Sequence, residues 1–424
     1  MTKKGSATTA ASDRSRLRSV LLVLGIVLLA MNLRPALTGV APLIGQIRAD
    51  TGISNGAAGL LTTLPLLAFA LLSPVAPRVA SRFGMELVLL VSLLVLAGGI
   101  LLRWMGTTTA LFLGTVILGA AIAFGNVLLP GLVKREFPGH AGMMTSVYST
   151  SLGISAALAA GVSVPLAQLD GIGWRGALAV WALPALLACV AWLPQLGRKD
   201  LPSRPSGSNS PSIRDLRRSP LAWQVTLFMG LQSLAYYVTL TWLPEILQEG
   251  GLGAARAGWM LGLSQAVAIL AMFSAPVVAE RRPSQRGIVV VAVLLSASGV
   301  LGLLVAGSAA AAVWVVLLGL GQGASFSLAL AFFALRSPDA GHAAALSGMA
   351  QSVGYLLAAA GPFLFGVLRD ATGSWKVPLA LLLATTVCLL IAGLGAARDA
   401  HVGAPAPEGS EGGDEERVVG GAPR

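Results

Sequence analysis

Twelve times along this chain, about twenty apolar residues run on before a short charged or Gly/Pro-rich break interrupts them. At 1.5 Å of rise per residue, ~20 residues are what a helix needs to cross a ~30 Å hydrocarbon layer. Backbone N–H and C=O groups find no water in that layer, so such runs satisfy them internally by folding as helices. An all-α integral membrane protein with twelve transmembrane helices is therefore expected. The spans fall near residues 19–44, 55–76, 87–106, 109–131, 142–168, 175–196, 221–247, 256–279, 287–307, 311–335, 343–367 and 377–397.

Composition agrees with that reading. Of 424 residues, 55% are hydrophobic and only 11% are charged, where a soluble chain carries roughly a quarter charged. The net charge of +11 would suggest nucleic acid if it formed a folded basic face. It sits instead in the breaks between spans. With the N-terminus inside, 22 of the 29 Lys and Arg residues lie in inside breaks and six lie outside (Arg48, Arg103, Arg175, Arg256, Arg369 and Lys376), leaving only Arg34. That bias orients a membrane protein with both ends cytoplasmic, and no nucleic-acid partner is expected. Residues 1–18 form a basic inner segment, 19–196 the first six spans, 197–220 a polar cytoplasmic loop and 221–397 the second six. The tail, 398–424, is rich in Gly, Pro and acid and is expected to be disordered. Basic residues ahead of Val20–Met31 mimic a signal peptide, but Pro42 after the small-residue stretch is a poor cleavage context, so an uncleaved first span is expected.

Cys189 and Cys388 both lie in apolar spans, and His140, His342 and His401 lie in breaks or the tail. No CxxC or His/Cys cluster suggests a metal site, cofactor or disulfide framework. An enzyme is hard to build from this inventory. A receptor would need a soluble module that the central loop and tail are too short to supply.

The two halves echo each other. Gly139-His140-Ala141, Ser151-Leu152-Gly153 and Trp174-Arg175 in the first match Gly341-His342-Ala343, Ser352-Val353-Gly354 and Trp375-Lys376 in the second. Two six-helix pseudo-repeats about a polar loop form a transporter architecture. That layout resembles the major facilitator superfamily. Its loop signature G-x-x-x-D-R-x-G-R is met in part by Pro77-Arg78-Val79-Ala80-Ser81-Arg82-Phe83-Gly84-Met85. Arg82 and Gly84 agree, while Ser81 replaces the acid of the family's gating ion pair. Closer similarity is to the cyanate and 2-nitroimidazole permeases, carried by Asn32-Leu33-Arg34-Pro35, Gly125-Asn126-Val127-Leu128-Leu129-Pro130, Lys134-Arg135-Glu136-Phe137-Pro138 and Gly173-Trp174-Arg175. The resemblance implies a major facilitator fold in the inner (plasma) membrane, with Arg82, Gly84, Arg135 and Glu136 in the gating loops.

Arg34 is the charge best placed to meet a substrate. It lies some fifteen residues into the first span, where a cation is unfavourable by roughly 2.5–3.5 kcal/mol on insertion scales unless it faces a cavity, partner or ligand. Snorkelling to the outer surface is the alternative. Pro35 loosens the helix beside it, and no Asp, Glu or His lies mid-membrane to pair with it. An anionic or strongly electronegative substrate would supply the missing partner. Any proton coupling would then run through the substrate, or through Glu136 or Glu245 at a gate.

Polar residues inside spans complete a candidate site: Asn32, Asn126, Gln232, Tyr236, Gln351 and Tyr355 with Arg34. Gln232, Tyr236 and Thr239 share helical spacing, as do Ser347, Gln351 and Tyr355. Such groups also serve as interhelical glue. The expected function is secondary active or facilitative transport of a small anionic or polar, cyanate- or nitroimidazole-like solute by a monomer working through alternating access. The alternative is a proton-coupled multidrug efflux transporter of the same fold.

Overall fold

The computed structural model describes residues 20–137, 141–197, 216–282, 284–338 and 340–402. Twelve long segments follow in chain order: α1 (Val20–Thr51, broken near its middle), α2 (Asn55–Leu72), α3 (Met85–Leu102), α4 (Thr108–Glu136), α5 (Ala141–Ala167) and α6 (Gly173–Leu196). The second set is α7 (Pro220–Glu249), α8 (Ala254–Glu280), α9 (Arg286–Ala306), α10 (Ala311–Leu335), α11 (Ala340–Thr372) and α12 (Lys376–Ala396). A short helix, Ala76–Phe83, joins α2 to α3 and ends at Gly84, whose φ of +87° suits glycine. No strand occurs among the described residues.

Eleven of these segments are long and apolar enough to cross a membrane. The exception, α7, has 30 residues, is more polar, and is mostly buried. Its position explains its composition. A helix surrounded by other helices need not match lipid, and its Thr, Ser and Gln side chains find partners in the protein. Thr226 and Thr241 return hydrogen bonds to their own helix at 2.7 Å, and Gln322 of α10 donates to Thr239 at 2.9 Å.

The internal repeat is visible in the packing. Arg135 at the end of α4 binds Glu86 at the start of α3, and Arg336 at the end of α10 binds Gln285 just before α9. Gly99 lies against Leu118 between α3 and α4, and Gly299 against Leu318 between α9 and α10. Each pair recurs about two hundred residues on, as the sequence echo requires.

The two sets of six meet along α2–α11 and α5–α8. Small residues allow that approach. Gly59 touches the Pro362 carbonyl, Gly258 packs on the Ala160 carbonyl, and Thr63 donates to Ala359 O at 2.7 Å. A methyl group at residue 59 would overlap backbone atoms, which cannot rotate away. Gly59→Ala is therefore expected to lower the thermal midpoint of the purified protein, by overpacking of about 1–3 kcal/mol. Gly45→Ala, where nothing lies within 4 Å, is the control and should leave the midpoint unchanged or raise it slightly.

Further bonds join the sets at the Arg48 end of the molecule. Arg48 Nη1 pairs with Glu245 Oε1 at 2.6 Å. Asp370 accepts from Asn55 Nδ2 at 2.7 Å and from the Gly56 N–H at 2.8 Å, capping the start of α2 with a carboxylate from α11. The Thr241 and Thr62 hydroxyls are hydrogen-bonded at 3.0 Å; Thr62 is the donor, since the Thr241 proton goes to Tyr237 O.

Candidate functional site

The site is built on the break in α1. Pro35 has no N–H and its ring crowds the carbonyl four residues back, so the helix cannot run through it. The regular helix stops at Asn32, Leu33 and Arg34 form a bend, and Pro35–Thr38 begins a new short helix with Arg34 as its N-cap residue. The Arg34 carbonyl accepts from the N–H groups of Leu37 and Thr38 and from the Thr38 hydroxyl. Thr38 therefore secures the break and is itself fully buried.

From this bend the Arg34 side chain crosses to the other half of the molecule. Its Nη1 lies 3.5 Å from the Tyr236 hydroxyl on α7, and its Cζ lies 5.7 Å from the centre of that ring. Tyr237 stands edge-on to Tyr236 with centroids 5.0 Å apart, and Tyr355 of α11 stands edge-on to Phe69 of α2 at 5.8 Å. Tyr236, Tyr237 and Tyr355 all lie in the neighbourhood of Arg34. Among the described residues no carboxylate forms an ion pair with it. A guanidinium stays charged and offers five N–H donors in a planar fork. Here that fork lies against the Tyr236 ring, Arg34 is partly buried, and the Tyr236 hydroxyl engages only one of the donors.

The chain-wide match is to the family model described as Major Facilitator Superfamily, which covers residues 20–362. The chain belongs to the major facilitator superfamily. It is a membrane transporter of small solutes. Among its relatives, the 2-nitroimidazole transporter of Escherichia coli (strain K12) is 45% identical, the match covering 94% of this chain and 100% of that one. The cyanate transport protein CynX of the same organism is 29% identical, over 87% of this chain and 95% of the relative. A solved bacterial homologue of the human lysosomal transporter Spinster, inward-facing and unoccupied, shares the fold with a TM-score of 0.73. It has 16% identity and covers 89% of this chain and 96% of that one.

In this superfamily member the residues singled out from sequence divide into three groups. Arg34, Tyr236 and Tyr355 come together. Asn126 is half-buried on α4 beside Gly125, which packs on Leu33 next to the bend. Asn32 is 4% exposed and donates to Leu28 O at 2.7 Å and to Pro184 O of α6 at 3.1 Å, so it ties the upstream helix in place. Gln232 is buried and bonds within its own turn, to Met229 O and to Ser233 Oγ. Gln351 donates to Ser347 one turn earlier on α11 at 2.8 Å. Gln232, Tyr236 and Thr239 thus share a helix stripe but bond to different partners.

The loop residues lie elsewhere. Arg82 is exposed and stacks near Phe83, with Cζ 5.4 Å from the ring centre. Arg135 is held by both Glu86 and Glu136. Glu86, on the first turn of α3, is thus an acid that pairs with a loop arginine where Ser81 offers none.

Sequence reading missed Phe69 and Gln265, and it placed Tyr237 inside a span without assigning it to the site. Gln265 of α8 donates to the Tyr236 hydroxyl at 2.8 Å and fixes that ring against Arg34. Its signal was one strongly polar residue in an otherwise apolar span. Missed too was the burial of Arg103, which is 3% exposed at the end of α3.

Proposed function

We propose that this transporter carries a small planar anion, or a polar azole bearing a nitro group, by alternating access. Arg34 is the docking cation of this reading, with Tyr236, Tyr355 and Asn126 around the cargo. One observation carries the proposal: a guanidinium lies between the halves with tyrosines as neighbours and no ion-pair partner among the described residues. A carboxylate, nitro or cyanate group would supply the acceptors that the fork lacks, and a flat ring would pack against the tyrosine faces. The resemblance to cyanate and 2-nitroimidazole carriers supports the same solute class.

In this proposal the protein works as a monomer in the plasma membrane with both termini cytoplasmic. The Arg48–Glu245 pair closes the outer end, and any proton travels with the solute. An efflux pump for lipophilic cations fits less well, because a cation beside Arg34 would be repelled. The test is a thermal-shift series on the purified protein, since a ligand that binds only the folded state raises the midpoint. Sodium cyanate and 2-nitroimidazole are expected to raise it, and tetraphenylphosphonium is not. A shift with tetraphenylphosphonium alone would transfer the assignment to cation efflux.

A further inference from the structure

We propose that Arg103 is a positioning residue that holds the break in α1 open and so sets the place of Arg34; this rests on Arg34 being the docking cation. A basic residue at the end of a span ordinarily reaches water, because its long stem lets the charge snorkel out. Arg103 does the opposite. It turns inward, is 3% exposed, and donates from Nη1 to the Ala36 carbonyl at 2.9 Å.

That carbonyl needs a partner because of the break itself. In an unbroken helix it would accept from the N–H four residues on. That donor, Val40, bonds instead to Leu37 O as the chain tightens after Pro35–Thr38. A buried carbonyl left unpaired costs free energy, and Arg103 removes the cost only while α1 stays bent. The stem of Arg103 is seated for this purpose: it passes over Gly114 of α4, where a methyl group would come within 2.7 Å of its Cγ. Among the described residues Arg103 Nε and Nη2 are buried without an acceptor and no carboxylate pairs with the side chain. Keeping a cation there is unfavourable for stability alone. The one hydrogen bond it makes among the described residues lands two residues from Arg34, within the four-residue helix that Arg34 caps.

The test uses the full-length protein purified in detergent, with 2-nitroimidazole as probe. Two readouts are taken: binding by calorimetry, and amide hydrogen exchange of the peptide containing Leu33–Thr38. Arg103→Met is expected to weaken binding at least tenfold and to change exchange in that peptide. Arg103→Lys should bind within threefold of wild type, because only one nitrogen is used and an ammonium can reach the same carbonyl. Arg103→Gln is too short to reach it and should behave like the methionine variant, so it serves if that variant fails to fold. Wild-type affinity in both Met and Gln variants, or a lysine variant as impaired as they are, would overturn the proposal. Arg34→Ala separates the two layers. Unchanged binding in Arg34→Ala defeats the docking reading and this inference with it, whereas loss there with normal binding in the Arg103 variants defeats this inference alone.

Discussion

Arg34→Ala is expected to lower affinity for 2-nitroimidazole or cyanate by on the order of a hundredfold, about 3 kcal/mol. The size follows from removing a charged donor that has, among the described residues, no neighbouring acid to be released in compensation. Arg34→Lys keeps the charge but loses the planar fork, so an intermediate loss of about tenfold is expected. The Tyr236 ring makes the order of these variants informative. A guanidinium can stack on that ring while gripping the cargo, whereas an ammonium gives up one contact or the other. Calorimetry on the three proteins decides it. Equal binding by wild type and Arg34→Ala would remove the bend in α1 from the site.

Glu245→Ala is expected to weaken closure of the Arg48 end by about 2 kcal/mol, roughly thirtyfold in the ratio of closed to open forms. Arg48 and Glu245 belong to opposite halves and are 30% and 18% exposed, so truncating one leaves the other poorly solvated and unpaired. A cysteine placed at Thr62, buried against Thr241 across the same seam, reports the change in a protein whose exposed Cys388 has been replaced by alanine. An impermeant thiol reagent added outside right-side-out cells should modify it at least tenfold faster in Glu245→Ala. The exchanged pair, Arg48→Glu with Glu245→Arg, should restore slow modification. Equal rates in all three proteins would show that the pair does not control access from that side.

Much of this was legible in the sequence because lipid is a severe solvent. Span positions follow from the length that hydrocarbon demands, and the ends of α10 came out residue for residue at 311–335. Arg34 was legible for the same reason: a charge followed by Pro35 in an apolar run has few stable places to be. The rest depends on contacts that periodicity does not encode. Because α7 is buried on nearly every side, polar residues along one stripe serve different neighbours: Gln232 its own turn, Tyr236 the cation and Thr239 the amide of Gln322. Arg103 looked like an ordinary outer charge because a span end is where such charges belong, and only the three-dimensional path of α1 shows the carbonyl it serves. Glu86 was hidden because its partner, Arg135, lies 49 residues away on the next helix.

Arg34 and Tyr236, 202 residues apart, occupy nearly matching places in the two repeats. In the proposed cycle the solute is moored to one bundle while the other serves as a door, and each swing of that door would break and remake the cation–ring contact.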